Sequence, residues 1–283
     1  MKSFWTSTLT IDTHRRVVPE VMSILVSDLR LRWRSLLWWS ISVLALSALV
    51  AAFYKSIAQE NAYADVFGSL PESLQGLLGG VDLGTPVGYL STEMYSFFMP
   101  AVLLVFAIGR ATSALAGEEE DHTLDLLLAQ PVSRSALYGQ KVVGLMIGVA
   151  ALSIAVALPV LALSDWAELD VPAANLWAAT AQLFAFVIFL AMLALAVSAA
   201  LGRRSLGIGI AAGLAFVSYL IDGFGKSVEW LEPWRVVTPW YWYDVSEALT
   251  ESMPWGSFFV LIVGAVLVGA LGLIGFNRRN LRA

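Results

Sequence analysis

The stretch "NLWAATAQLFAFVIFLAMLALAVSAAL", residues 175–201, contains no charged side chain. A helix of roughly 20 mostly apolar residues crosses the hydrocarbon core of a bilayer, so this stretch predicts a transmembrane helix. The composition agrees, because 58% of the 283 residues are hydrophobic and the mean hydropathy is +0.74. A soluble domain could not cover that much apolar surface, which makes the bilayer the expected solvent.

Five other apolar runs, each uncharged or with a single basic residue, predict five more spans. They cover approximately residues 35–54, 94–115, 138–163, 206–221 and 256–276. The run 206–221 is the shortest and would require a thinner or less tilted crossing. No internal repeat or soluble domain interrupts them. The expected fold is therefore all-α, a polytopic membrane protein with six transmembrane helices in a single transmembrane domain, residues 1–283.

Basic residues set the expected orientation, since those near span ends tend to stay cytoplasmic. If the N-terminus is inside, only Lys55, Lys226 and Arg235 of the 17 basic residues fall outside. The inner side then receives Lys2, Arg15, Arg16, Arg30, Arg32, Arg34, Arg110, Arg134, Lys141, Arg203, Arg204, Arg278, Arg279 and Arg282. Both termini are therefore expected in the cytoplasm. Arg110 lies about two turns inside the second span and is expected to reach the inner interface or to pair with an acid of residues 118–121.

Two segments outside the spans also carry structural signals. Residues 18–34 have polar and apolar side chains at helical spacing and predict an amphipathic helix on the inner membrane surface, with a cytoplasmic extension of the first span as the alternative. Residues 223–255 combine proline breaks with many Trp and Tyr side chains. They predict external helical pieces that lie on or dip into the outer leaflet, or else an ordinary aromatic belt at the membrane surface.

The sequence argues against several kinds of catalytic site. It contains no cysteine, and its two histidines, His14 and His122, are far apart. "GFGKS" at 223–227 lacks the glycine that a phosphate-binding loop requires, because position 220 is Leu220. An intramembrane glutamic protease would need arginine where Leu124 stands. We therefore expect no catalytic, cofactor-binding or metal-binding residues in this chain, and no enzymatic activity of its own.

The linker between the second and third spans, residues 118–134, has the sequence "EEEDHTLDLLLAQPVSR". Leu124, Leu127 and Leu128 form an apolar stripe at helical spacing, and Pro131 ends the predicted short helix. A leucine ridge in the cytoplasm costs free energy if it stays in water. It therefore either lies on the inner leaflet or its own bundle, or inserts into a groove of a cytoplasmic partner.

This linker resembles that of the ABC type-2 exporter permease family, the membrane subunits of ATP-driven exporters. The family pattern is E-x-x-x-G-T-L-x-x-L-L-x-x-P-V-S-R with a lysine soon after. The matching residues are Glu118, Thr123, Leu124, Leu127, Leu128, Pro131, Val132, Ser133, Arg134 and Lys141. His122 stands where glycine is common. "TPWYWYD", residues 238–244, is similar to the S-P-x-x-Y-Y segment of that family.

The resemblance implies a function and a set of partners. The chain would be the permease of an ABC exporter in a prokaryotic cytoplasmic membrane, moving a small or amphipathic substrate outward. It would pair with a second permease copy or a paralogue, contact membrane lipids, and bind no nucleic acid. Two copies of a separate ABC ATPase subunit would hold the ATP and Mg²⁺.

The same resemblance implies roles for particular residues. The coupling helix would dock on the ATPase through Glu118, Glu119, Glu120, Asp121, Thr123, Leu124, Leu127, Leu128, Pro131, Val132 and Arg134. Candidates for the substrate pathway are Tyr95, Phe97, Phe98, Phe216 and Tyr219. The candidate external gate is formed by Pro239, Trp240, Tyr241, Trp242 and Tyr243.

Two other functions stay open at this stage. The chain could belong to an ATP-driven component that regulates or assembles an envelope enzyme without exporting anything. It could also be an ion-coupled secondary transporter, although no carboxylate accompanies the prolines within the predicted spans.

Overall fold

The computed structural model of the protein describes residues 23–59, 85–122 and 132–279. Within these ranges all regular structure is helical. Six of the described helices are long and apolar enough to cross a membrane. The predicted fold class and number of spans are thereby confirmed.

The spans are longer than the apolar runs that predict them. They are α1 (Ser23–Gln59), α2 (Pro86–Glu120), α3 (Arg134–Ala167), α4 (Ala173–Leu201), α5 (Arg204–Gly225) and α8 (Trp255–Arg278). Two short helices, α6 (Glu232–Arg235) and α7 (Val245–Thr250), lie between α5 and α8. Helix α2 starts eight residues before its predicted position, because Thr85 caps the backbone N–H of Gly88 at 3.1 Å and proline occupies the first helical position.

Helix α2 is not a regular α-helix throughout. Two π-helical stretches, Leu90–Tyr95 and Ser113–Gly117, flank its central α-helical part, Phe98–Thr112. Wider turns of this kind often occur at functional positions of helices. In this protein they lie at the two ends of the span, where α2 meets the segments described below.

Helix α4 forms the centre of the bundle. In its most apolar stretch 72% of the residues are buried, compared with 17% for α1 and 22% for α8. Helix α8 packs along α4, and α1 packs along α3. Close approach depends on small residues: a Cβ atom at Gly272 of α8 would lie 2.6 Å from the Cα atom of Ala196 in α4.

The helices define two ends of the bundle. Helices α1, α3 and α5 begin at one end of the bundle, and α2, α4 and α8 end there; we call it the basic end. We call the opposite end, which carries residues 226–254, the aromatic end. That the basic end faces the cytoplasm stays a prediction from the charge pattern.

Where the structure describes residues 18–34, from Ser23 onward, they follow the alternative given above, an extension of the first span. Residues 23–34 continue into the first span as one uninterrupted helix, Ser23–Gln59, while residues 18–22 lie outside the described ranges. The reason is the Asp28 carboxylate, which is bound by Arg110 of α2 and Lys141 of α3. These ion pairs hold the start of α1 against the bundle.

Candidate functional site

Three consecutive acids at the end of α2 join it to three other elements. Glu118 Oε1 lies 2.5 Å from Lys141 Nζ of α3, and Glu119 forms an ion pair with Arg279 just after α8. Glu120 Oε1 accepts a hydrogen bond of 3.0 Å from the backbone N–H of Arg204 at the start of α5. Successive residues of a helix point about 100° apart, so neighbouring acids can reach three directions. The carboxylates of these acids bind this chain, and their docking on an ATPase subunit stays a prediction.

A cluster of five charged side chains, which we call the charged junction, lies beside these contacts. It consists of Asp28, Arg32, Arg110, Glu118 and Lys141. The Lys141 side chain is only 4% exposed, and its Nζ is also 3.4 Å from Asp28 Oδ1. Mutual pairing is what makes charges tolerable inside a membrane bundle. Arg110 therefore pairs with Asp28 of α1 rather than reaching the interface.

The charged junction also borders the two ends of the linker. At its start, Asp121 and His122 are exposed, and His122 has a left-handed φ of 56°. At its end, Ser133 Oγ accepts from the backbone N–H of Ala136 and begins α3, and Arg134 Nη1 donates to the carbonyl of Arg279 at 2.9 Å. Val132 is half-buried.

The middle of the linker, residues 123–131, lies outside the described residues. Thr123, Leu124, Leu127, Leu128 and Pro131 belong to that stretch, so the coupling helix stays a prediction.

At the aromatic end, the segment between α6 and α7 enters the bundle instead of lying on the membrane surface. Trp240 Nε1 donates to the carbonyl oxygen of Ala215, halfway along α5, at 2.7 Å. The Tyr243 hydroxyl donates to the carbonyl oxygen of Tyr95 at 3.0 Å. The Phe186 ring of α4 contacts both aromatic rings, with centroid distances of 4.5 and 4.8 Å. An aromatic belt alone would not place these side chains so deep.

An apolar groove of about 360 Å³ lies between α2 and α5. Three of the candidate pathway residues, Phe97, Phe216 and Tyr219, line it. Tyr95 does not, because its side chain is fully buried in the core. Phe98 is 44% exposed but points away from this groove and is absent from its lining. The lining is therefore aromatic and apolar, as expected for an amphipathic substrate, but it includes only three of the five candidate residues.

A second, polar cavity of about 500 Å³ lies at the aromatic end. Trp240, Tyr241, Trp242 and Tyr243 of the predicted gate line it, whereas Pro239 is buried behind them. Its charged lining includes an ion pair between Arg235 Nε and Asp222 Oδ1 at 3.0 Å. The Arg235 guanidinium also lies over the Tyr241 ring, 5.5 Å from its centroid.

The helix α7 borders this cavity and begins at Asp244, whose Oδ1 accepts from the backbone N–H of Glu247 at 3.2 Å. The pKa of the Glu247 carboxyl is raised, first by hydrogen bonding to Asp244, then by burial and by repulsion from Asp244 and Glu251. Glu247 therefore takes up a proton at a higher pH than an isolated glutamate.

Two aromatic side chains, Tyr219 and Trp240, belong to the linings of both the groove and the cavity. Their ring centroids are 5.1 Å apart in an edge-to-face arrangement, and the Phe97 ring lies 4.9 Å from Tyr219. We call Tyr219 and Trp240 the aromatic wall. The aromatic wall thus borders both the groove and the cavity.

Sequence reasoning missed the charged junction. A signal was present, because Asp28 follows Leu25 by three residues and precedes Leu29, so a carboxylate falls on the apolar side of the predicted amphipathic helix. Arg32 follows it by four residues, the spacing of a helical ion pair, and Arg32 Nε lies 3.4 Å from Asp28 Oδ1. In the described ranges, no group of three His, Asp or Glu side chains comes together as a metal site would require.

Comparison with known proteins identifies the family. A search among curated proteins finds no match. The family model described as the C-terminal domain of the multidrug efflux system permease Rv1217c matches residues 25–277, nearly the whole chain. This range contains every element of the bundle except the first residues of α1 and the last of α8. The chain therefore belongs to the family of the C-terminal domain of the multidrug efflux system permease Rv1217c.

Proposed function

We propose that this chain is the membrane subunit of an ABC exporter, which moves amphipathic compounds outward with energy from ATP hydrolysis in a separate subunit. The family it belongs to is described as a permease of a multidrug efflux system, and the six spans fit a membrane permease. The linker motif supports the ABC class. The chain itself hydrolyses nothing in this proposal, and ATP and Mg²⁺ bind the partner.

The observation that carries the transport proposal is the aromatic wall. It separates a groove open to the apolar part of the membrane from a polar cavity at the aromatic end. An amphipathic molecule can enter the groove from the lipid and leave through the cavity once the wall opens. Two rings in edge-to-face contact contribute only about 1 kcal/mol beyond their burial, so such a wall can open during a transport cycle.

The charged junction supplies a route by which force reaches the wall. A push on the linker, residues 123–131, acts on the ends of α2 and α3 that Glu118 and Lys141 join. Helix α2 also carries Phe97, which lines the groove and contacts Tyr219 of α5. A shift of α2 against α5 would therefore separate the rings that close the wall. A second permease copy and two ATPase subunits complete the assembly in this proposal.

The decisive experiment reconstitutes the chain with its ATPase subunit in vesicles and measures movement of a fluorescent amphipathic dye. We expect transport that requires ATP and stops when the ATPase carries a Lys→Ala change in its phosphate-binding loop. An imposed proton or sodium gradient without ATP should move no dye. Transport driven by such a gradient would contradict the ABC assignment and favour a secondary transporter. ATP hydrolysis that moves no solute would favour the non-exporting role.

A further inference from the structure

A cleft at the basic end is separate from the groove and the cavity that serve the proposed function. It has a volume of about 130 Å³ and lies between α1, α2 and α3. Roughly four water molecules would fill it, which is also the space that a phosphate group with its four oxygens needs. Its lining includes the basic side chains of Arg32 and Arg110 and the apolar side chains of Leu36 and Phe106.

The charges around this cleft are not balanced. Among the described residues, the charged junction contains the cations Arg32, Arg110 and Lys141 and the carboxylates of Asp28 and Glu118, which together carry one net positive charge. An unbalanced charge within a membrane bundle is costly and is best neutralised by a bound anion.

One hydrogen-bond donor at the cleft also lacks an acceptor. Nη1 of Arg110 is buried and has no hydrogen-bond partner among the described residues, although Nη2 of the same guanidinium binds Asp28. Arg32 is 39% exposed, and its contacts with Asp28 and Glu118 are long, at 3.4 and 4.0 Å. Arg32 therefore keeps accessible donors for an anion with several oxygens, which arginine binds well, and the buried Nη1 of Arg110 can join them when its side chain turns toward the cleft.

The surroundings of the cleft indicate where such an anion comes from. Trp33 is 53% exposed at its rim, and Trp38 on the next turns of α1 is 67% exposed. Exposed tryptophans of this kind favour the headgroup level of a membrane. Gly148 lets the Phe106 ring pack directly against α3, because a Cβ atom there would lie 3.2 Å from that ring. The cleft thus joins a cationic pocket to an apolar surface that faces lipid.

We propose that this cleft binds the headgroup of an anionic phospholipid. Arg32 and Arg110 donate to the phosphate diester, and the acyl chains lie along Leu36 and the exposed face of α1. Basic pockets between transmembrane helices bind lipid headgroups in this way. A zwitterionic lipid fits less well, because its cationic choline would add a positive charge to a junction that already has an excess.

The test uses the purified full-length chain after removal of bound lipid. Dioleoyl phosphatidylglycerol is titrated, with dioleoyl phosphatidylcholine and inorganic phosphate as separate arms, and lipid retention is followed by native mass spectrometry together with thermal unfolding. We expect retention of phosphatidylglycerol and a higher unfolding midpoint with that lipid alone. If phosphatidylcholine is retained and raises the unfolding midpoint equally, the cleft does not prefer anionic lipids. If inorganic phosphate raises the midpoint as much as phosphatidylglycerol, the ligand is a free phosphate and not a lipid.

Matched variants separate the cleft from general surface charge. Arg32→Gln should weaken phosphatidylglycerol binding about tenfold, the loss expected for one charge-assisted hydrogen bond. Arg30→Gln removes the same charge from an exposed position of the same helix and should leave binding unchanged. Ser35→Glu places a carboxylate at the exposed edge of the cleft and should exclude the lipid, whereas Ser35→Gln should not. Equal losses in Arg30→Gln and Arg32→Gln, or binding that survives Ser35→Glu, would overturn the proposal.

Discussion

The Lys141 ammonium group lies 2.5 Å from Glu118 Oε1 and joins the start of α3 to the end of α2, the two helices that the linker connects. The contact is almost fully shielded from solvent, with 4% and 14% of the two side chains exposed. Residues 23 positions apart in sequence are thus held together at the point where the linker leaves the bundle and returns to it. The linker is therefore tied to the bundle at both of its ends.

This contact predicts a strong effect of removing one partner. Lys141→Met leaves the carboxylates of Glu118 and Asp28 with fewer cations in a buried place. We expect the free energy of unfolding to fall by about 3 kcal/mol, the cost of breaking a buried ion pair. Thermal unfolding in mild detergent measures it.

Two variants control this experiment. Lys226→Met removes an exposed lysine at the aromatic end and should change stability by less than about 0.5 kcal/mol. The double variant Lys141→Met with Glu118→Gln should recover part of the loss, because it leaves one fewer unpaired carboxylate. A single variant as stable as the unchanged chain would contradict a structural role for the pair.

Replacing glycine by alanine should have opposite effects on stability at Gly202 and Gly209. Gly202 ends α4 with a left-handed φ of 65°, and its missing side chain leaves room for the Arg279 guanidinium that binds Glu119. Gly202→Ala should cost about 1–2 kcal/mol from backbone strain and should displace Arg279. The unfolding midpoint checks it.

Gly209 is the matched control, since it lies inside α5 with nothing within 4 Å of an added Cβ. Gly209→Ala should stabilise the chain by about 0.5–1 kcal/mol. A Gly202→Ala variant that unfolds at the same or a higher temperature than the unchanged chain would show that the left-handed geometry at Gly202 does not matter for stability.

Much of this architecture follows from the sequence, and the remainder depends on contacts between helices. Long apolar runs decide how many spans exist, but a helix continues past its apolar run wherever a cap or an ion pair supports it, as at Thr85 and Asp28. The composition of residues 223–255 indicates aromatic helical pieces near the membrane surface. Composition does not tell how deeply these pieces enter the bundle, because the hydrogen bond from Trp240 to Ala215 depends on how α5 packs.

The acids of the linker show the same limit. Four consecutive acids are unusual on the side of the membrane that is predicted to carry most of the basic residues. A protein partner that binds them is one natural explanation. Only the fold brings Arg279, 160 residues away, next to Glu119. Periodicity describes one element at a time and cannot select among distant cations.

The aromatic wall predicts how accessible the groove is from the aromatic end. Because the chain has no cysteine, Ala101→Cys in the groove introduces its only thiol. We expect slow labelling of this thiol by a small membrane-impermeant reagent added from that side. With Trp240→Ala as well, the wall loses one of its two rings and labelling should become at least about tenfold faster, since water reaches the thiol.

Two controls frame that result. Ser257→Cys lines the polar cavity and should label rapidly with or without Trp240. Trp230→Ala removes an exposed tryptophan of the same end, 71% accessible, and should leave the labelling of Ala101→Cys slow. Fast labelling of Ala101→Cys while Trp240 is intact would mean that the wall does not separate the two spaces.

The last prediction concerns the leucine stripe of the linker, which lies outside the described residues. If Leu124 and Leu127 insert into an ATPase groove, Leu124→Asp or Leu127→Asp should abolish transport, because burying an unpaired carboxylate there costs several kcal/mol. Membrane insertion should be normal, and the ATPase subunit should no longer co-purify. Leu126→Asp makes the same change on the opposite side of the predicted helix and should retain transport and co-purification. Full transport in Leu124→Asp and Leu127→Asp, or equal loss in all three variants, would show that the stripe is not the docking surface and would favour its packing on lipid or on the bundle.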